Sequence, residues 1–552
     1  YAEAHGNLGV TLKELGRLDE AIPSYARAIT LKADYSSAYG NLGLALKKLR
    51  FQKENQNLYP ILINLLTGKN FVRPADVAGA ILSLLRLDNL IEDALLNTTA
   101  VTDIKEVDRA IKALAQVPLL HQLMRICPLP DLQLEALFVS IRRVLLINRG
   151  KVETSPEHTY FLSTLSLQCF TNEYVYFETE DETELVSDLA ISIADSIARA
   201  SQPTLSEVLC LATYRPLHQY DWCGNLAVLD QIPELKSRLI REPLAERVIA
   251  HHIPILAEVD DEVSRKVREQ YEASPYPRWV KLGISPKPKS VAVFCDRAKL
   301  RLHSEHIKSV FSPSILIAGC GTGQHSIETA SLFANCKVTA VDLSLASLAY
   351  AQRKTSELGI TGIEYLQADI LNLSEVGQDF DIIESVGVLH HMDDPMAGWR
   401  VLVDLLKTGG LMKIGLYSEL ARRDIVKARE EIALQEMGTS EAEIRRFRQA
   451  IAKSNDEHHQ QLTDSGDFFS LSTLRDLIFH VQEHRFTLPG TSCCLDELGL
   501  KFCGFENPGI ADKFQQFFGE EADICDLSLW HQFEESHPST FAAMYQFWCQ
   551  KM

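Results

Sequence analysis

No uninterrupted apolar run in this 552-residue sequence approaches the roughly 18 to 20 residues that a membrane-spanning helix needs. A helical membrane protein is thereby excluded, and no membrane partner is expected. Positive charge is also scarce. Lys and Arg total 55 against 74 Asp and Glu, a formal charge of −19, so a general nucleic-acid binder is excluded for want of groups to neutralise phosphates. The twelve cysteines form no CxxC pair, and only Cys493 and Cys494 adjoin. That pattern excludes a disulfide framework or a zinc knuckle and predicts reduced, buried thiols in a cytoplasmic protein. An initiating Met and a signal-peptide pattern are both missing. The chain opens at Tyr1 inside a helical repeat, from which we expect further repeats upstream. The length exceeds what one core sustains and predicts about two to four domains.

What is present begins with an internal repeat. Ala4, His5, Asn7, Leu8, Gly9 and Leu12 recur 34 residues later as Ala38, Tyr39, Asn41, Leu42, Gly43 and Leu46. Between them Ala21, Tyr25 and Ala28 supply small and aromatic residues where two helices must pack closely. This resembles the tetratricopeptide repeat over residues 1–50, with Ala33 where a proline usually ends the repeat. Because roughly three repeats are needed to bury a continuous core, this segment must dock on the next part of the chain or cap a longer array.

Residues 51–255 read as helices throughout, a scaffold or docking domain with no catalytic signature. Leu134, Leu137, Phe138, Ile141 and Leu145 share one helical face, as do Leu189, Ile193 and Ile197. Residues 256–310 form a helix and a cap segment. The helix carries Val263, Val267 and Tyr271 on one stripe and must stop before Pro275. The PYPRW run after it places Tyr276, Arg278 and Trp279 between stiffening prolines. They are either a rigid connector packing on the next domain or a substrate-facing flap over an active-site mouth.

From Ser314 strands alternate with helices, which predicts a parallel sheet. SILIAGCGTGQ at 314–324 is a strand running into Gly319, Cys320, Gly321 and Gly323 and then a helix, a turn that lets backbone approach a ligand. The next strand, KVTAVDLS at 337–344, ends in Asp342 and Leu343, where a carboxylate can take both hydroxyls of a ribose. A third strand ends in QADI, placing Asp369 and Ile370 beside an adenine. A fourth, FDIIESV, empties GVLHHMDDP into the same crevice, and a fifth follows Gly409 and Gly410. Two strands near the end, LKFCGF at 500–505 and MYQFWC at 544–549, close the sheet.

The order and spacing of these elements over some 100 residues resemble class I S-adenosylmethionine-dependent methyltransferases. The whole combination, from EVSRKVREQYEASPYPRW through LRDLIFHVQEHRFTLP to the closing strands, looks like a bacterial family of repeat-containing methyltransferases. The resemblance implies a multidomain protein. An all-α N-terminal half precedes an α/β Rossmann-like methyltransferase domain at 311–552, with a helical insertion of two or three helices after strand five. It implies S-adenosylmethionine as cofactor, held by Gly319, Cys320, Gly321, Gly323, Asp342, Leu343, Asp369, Ile370 and Glu384. The insertion, about Ser418 to Pro489, is expected to lie over the crevice as a lid or substrate clamp.

Methyl transfer is an in-line displacement, so holding nucleophile and methyl in line is the main task, with a base where the nucleophile must lose a proton. His390 and His391 are candidates for that base, or shape the loop by hydrogen bonding. Glu384 and Tyr417 are further candidates at the reacting centre. HVQEH at 480–484 spells the H-x-x-E-H zinc signature, which would set both imidazoles on one helical face. With a complete cofactor site already present we expect no metal there. His480, Glu483, His484 and Arg485 then line the substrate side, while His458 and His459 sit in solvated loop. The expected acceptor is a protein or peptide recruited by the helical half, since tetratricopeptide repeats hold extended chains. A small-molecule acceptor with repeats serving homo-oligomerisation, and a non-catalytic scaffold, are the alternatives.

Overall fold

The computed structural model describes residues 1–47, 49–68, 71–96, 103–149, 155–284, 287–541 and 544–552. It divides the chain into two units, each assembled from three stretches. One comprises 1–245, 278–284 and 438–474; the other comprises 246–277, 285–437 and 475–552.

The first unit is helical. Its opening hairpin, Ala2–Glu14 and Leu18–Leu31, is followed by Ser36–Leu46. Gly9 explains why a repeat of this kind needs glycine: a Cβ there would meet the Tyr25 ring at 2.6 Å. Tyr25, Ala21 and Ala28 are fully buried in that contact. The predicted stripes fall in Leu132–Ile147 and Glu180–Ala198, each started by a side chain that caps free N–H groups, Asp131 and Thr179. Thr179 and Glu182 cap each other reciprocally.

The insertion departs from expectation. It contains four helices, Arg423–Leu434, Glu441–Lys453, Glu457–Asp464 and Leu471–Ile478, and its middle, 438–474, belongs to the helical unit. The reason is electrostatic. Buried Arg448 meets buried Glu135 through two bonds of 2.5 and 2.7 Å, and Arg445 donates to the Tyr174 carbonyl at 2.6 Å. The insertion is thus shared between the two units and is not one element of the catalytic unit. His458 and His459 are also corrected from solvated loop to helix, with His459 buried. The boundary expected at 255 lies instead at 245/246.

The second unit is built on a seven-stranded sheet. Its strands are β1 (Ser314–Ala318), β2 (Lys337–Asp342), β3 (Ile363–Gln367), β4 (Phe380–Val386), β5 (Leu406–Leu416), β6 (Leu500–Phe505) and β7 (Tyr545–Lys551). Their order is β3-β2-β1-β4-β5-β7-β6; β7 runs antiparallel to both β5 and β6, and the other pairings are parallel. This is the expected Rossmann-like α/β fold with its closing antiparallel pair. Apolar clusters cover both faces, one around Trp399, Trp530 and Phe533, the other around Phe294, Phe333 and Trp548. The order reverses between β1 and β4, and ligands of such sheets bind at that switch point, beyond the carboxyl ends of the strands. Among the described residues no helix is long and apolar enough to cross a membrane.

Candidate active site

The turn after β1 places Gly319, Gly321 and Gly323 at φ +79°, +51° and +83°, a region that side chains resist. Space is short as well. A Cβ on Gly319 would meet Val388 at 2.3 Å, one on Gly321 the Tyr276 carbonyl at 2.6 Å, and one on Gly323 Ala351 at 2.6 Å. Asp342, at the end of β2, fastens this turn: its carboxylate accepts from Gly321 N–H at 2.7 Å and from Ser344 N–H at 3.0 Å. Burial pushes the Asp342 carboxyl up to about 6, against those N–H groups. Each oxygen keeps a lone pair for a ribose hydroxyl.

Asp369 is buried at the end of β3 and accepts from Leu371 N–H at 3.0 Å; Ile370 beside it is buried too. The Leu343 carbonyl accepts from Gln367 at 2.8 Å. Cys320 is buried, and burial raises its thiol well above the usual range, so it packs and does not react. Glycine cradle and two acids at successive strand ends suit a nucleoside-bearing ligand such as S-adenosylmethionine.

The cap segment is split between the units. Tyr276 and Pro277 dock on the glycine turn, their carbonyls accepting from Thr322 N–H at 3.2 Å and from the Thr322 hydroxyl. Arg278 and Trp279 belong to the helical unit. There the Arg278 guanidinium lies 4.2 Å from the Phe170 ring centre and Trp279 is buried, which favours the connector reading for that pair. Glu272, which the motifs did not single out, accepts from Leu345 N–H at 2.6 Å and Ala346 N–H at 3.1 Å. It caps the helix Leu345–Leu358 next to Asp342; its place one residue after Tyr271 in the cap motif was the available signal.

Glu384 is committed elsewhere than expected. It is buried in β4, paired with His325 and within 3.3 Å of the Thr329 hydroxyl. Burial raises its pKa, but the His325 pairing outweighs this and holds it below the usual carboxylate range. His325, its partner, sits in the first turn of Gln324–Leu332.

Beyond β4 and β5 the remaining candidates converge. His390 and His391 sit in the short turn Leu389–His391 and are buried. The His390 ring stacks on Tyr417 at 3.7 Å, and the Arg422 guanidinium lies 3.6 Å from the centre of the Tyr417 ring. The segment 480–486 is not helical. It threads past both loops, with His484 N–H donating to the His390 carbonyl at 2.7 Å and Phe486 N–H to the Tyr417 carbonyl at 2.9 Å. The single helical face that H-x-x-E-H requires is thus absent. Glu483 is held by Arg422 in a buried pair at 2.6 and 3.0 Å, so its role is to fasten the segment. His480 stacks on His391 at 3.6 Å. Burial drives His390 well below the usual histidine range and both His391 and His480 down to about 3. All three rings are therefore neutral near pH 7. Asp476, unremarked in the sequence, accepts from the Tyr271 hydroxyl at 2.6 Å and the Tyr417 hydroxyl at 3.4 Å.

A family model described as a methyltransferase domain matches residues 315–410, and one described as a TPR repeat matches residues 9–49. An uncharacterized protein of Synechococcus sp. is 28% identical over half of this chain and 69% of its own length. The (S)-coclaurine N-methyltransferase of Papaver somniferum is 30% identical over 21% of this chain and 32% of its own. The structure of PKMT2 from Rickettsia typhi is 15% identical over 49% of this chain and 55% of that one, with a TM-score of 0.36. The chain thus spans only about a third of the poppy enzyme. It carries a tetratricopeptide repeat and a class I methyltransferase domain, and S-adenosylmethionine is that domain's cofactor.

Proposed function

We propose that this S-adenosylmethionine-dependent methyltransferase transfers its methyl group to a protein or peptide acceptor bound by the helical unit. The observation that carries the reading is the repeat match at 9–49 in the same chain as the methyltransferase domain, because repeats of this class gain affinity by spreading contacts along an extended segment. When bound, S-adenosylmethionine supplies an electrophilic methyl on a sulfonium. Asp342 holds the ribose, Asp369 the adenine side, and the Tyr276–Pro277 backbone keeps the glycine turn closed. His390 Nδ1 accepts from Tyr417 N–H at 3.3 Å, so its Nε2 carries the proton, a buried donor without a hydrogen-bond partner among the described residues and suited to orienting a lone-pair-bearing atom of the acceptor. Burial keeps that ring neutral, so it orients the acceptor and does not serve as a strong base. Twelve scattered cysteines with no CxxC pair suit a cytoplasmic setting.

A small-molecule acceptor is the second reading, favoured by the N-methyltransferase activity for which the poppy relative is named. Radiolabelled methyl donor added with the full chain to a cell lysate separates the two. Label in the macromolecular fraction, lost on protease treatment, is expected. Label only in the small-molecule extract would overturn the protein-acceptor reading.

A further inference from the structure

We propose that His391, Asp476 and His480 form a site for one divalent transition-metal ion. One nitrogen of each ring and one Asp476 oxygen lie within 4.8 Å of one another, and all three side chains are buried. The tautomers carry the argument. The Gln482 carbonyl oxygen stands 2.7 Å from Nδ1 of His391 and 2.7 Å from Nδ1 of His480. A carbonyl only accepts, so both Nδ1 atoms bear the proton and both Nε2 atoms carry a lone pair. The His480 Nδ1 also lies 3.2 Å from Gln482 N–H, but the shorter contact to the carbonyl sets its protonation. Neither Nε2 has a hydrogen-bond partner among the described residues. A buried acceptor left unpaired keeps the full cost of its lost hydration, and here two of them lie on rings stacked 3.6 Å apart.

A backbone carbonyl taking the far N–H of a histidine is the usual outer support of a metal-bound imidazole. Asp476 is supported in the same way by Tyr271 and Tyr417, and each of its oxygens retains a lone pair. Two imidazoles and one carboxylate, with no thiolate, suit Zn²⁺, Fe²⁺, Co²⁺ or Ni²⁺. The positive charge of Arg422 is offset by Glu483. Arg429, which donates to the His480 carbonyl at 2.9 Å, opposes any cation and so disfavours hard ions held by charge alone. This site differs from the one H-x-x-E-H would make, because His484 turns its Nε2 to the Asp393 carbonyl at 3.1 Å. It rests on no assumption about the acceptor.

The test is titration of the metal-stripped full chain with Co²⁺, followed by visible ligand-field absorption, and with Zn²⁺ by calorimetry. One ion per chain is expected, with Zn²⁺ displacing Co²⁺. Asp476→Asn and His480→Gln should each weaken binding by more than the roughly 10- to 100-fold that loss of an outer partner costs. His484→Gln should bind as the parent does. Retained S-adenosylhomocysteine affinity checks that each variant is folded; should Asp476→Asn fail that check, the parent and His480→Gln decide. No saturable Co²⁺ band in the parent overturns the site, as does loss of binding in His484→Gln with His480→Gln unaffected.

Discussion

Replacing Asp342 should damage cofactor binding in a way that depends on pH, and the size of the effect is set by its contacts. Its carboxylate accepts two backbone N–H groups, at 2.7 Å from Gly321 and 3.0 Å from Ser344. Hydrogen bonds to a charged group contribute about 1.5 to 3 kcal/mol each. Asp342→Ala removes both from the free and the bound protein alike, so the loss of S-adenosylhomocysteine affinity comes from the ribose acceptors and should be about 1 to 3 kcal/mol net, roughly 5- to 150-fold. Asp342→Asn keeps one acceptor but turns an NH₂ toward an N–H or a hydroxyl, and should lose nearly as much. Burial raises the native carboxyl to about 6, so falling pH protonates it and removes the acceptor. Parent affinity should therefore drop about 10-fold per unit below pH 6, while Asp342→Asn stays flat. For stability the sign is opposite to that of a salt-bridged acid. The native state keeps a proton that the unfolded chain releases between 3.8 and about 6, so this group's contribution to stability falls as pH rises through that window. Calorimetric titration with S-adenosylhomocysteine at about pH 7.5 and about pH 5 checks the affinity prediction. Equal affinities for parent and Asp342→Asn at both pH values would refute the reasoning.

Gly319→Ala combines a positive φ with a Cβ 2.3 Å from Val388; it should cost about 2 to 5 kcal/mol of local stability and abolish cofactor binding, read by melting with and without S-adenosylhomocysteine. Glu135→Ala strands Arg448 in the helical unit and should destabilise it by about 3 to 5 kcal/mol in urea unfolding, with less effect from Arg448→Met. His390→Ala removes the orienting N–H and should lower turnover on the order of 10²-fold while leaving cofactor affinity nearly intact, measured by initial rates and calorimetry.

The cofactor crevice was legible because each of its elements is local: a strand, a turn, an acid at the strand's end. β1 and β6 occupy the short apolar segments read for them, Ser314–Ala318 and Leu500–Phe505. β5 was expected from Leu411 and starts at Leu406, because Gly409 and Gly410 read as a turn. In the fold they lie inside the strand, within the bulge between the Phe380–Leu406 and Ile382–Leu411 pairs. The segment 480–484 reads as helix by spacing alone; its carbonyls and N–H groups instead pair with the tails of β4 and β5, which no local pattern announces. His459 lies in EHHQQLTD, where Leu462 is the one apolar residue to mark a buried face. The roles of Asp476 and His325 stayed hidden because each is defined by a partner 59 to 205 residues away.

The ion pair between Glu135 and Arg448 spans 313 residues of chain. A ribosome adding about 5 to 20 residues per second needs roughly 15 to 60 s to cover that interval. Throughout that time a nascent helical unit exposes a carboxylate whose burial has no counter-ion, and the surface destined for helix Glu441–Lys453 stays open. Completion of the helical unit thus waits until most of the catalytic sheet has been synthesised. Translation speed across residues 246–437 is therefore a variable that sets how long the helical half depends on chaperones.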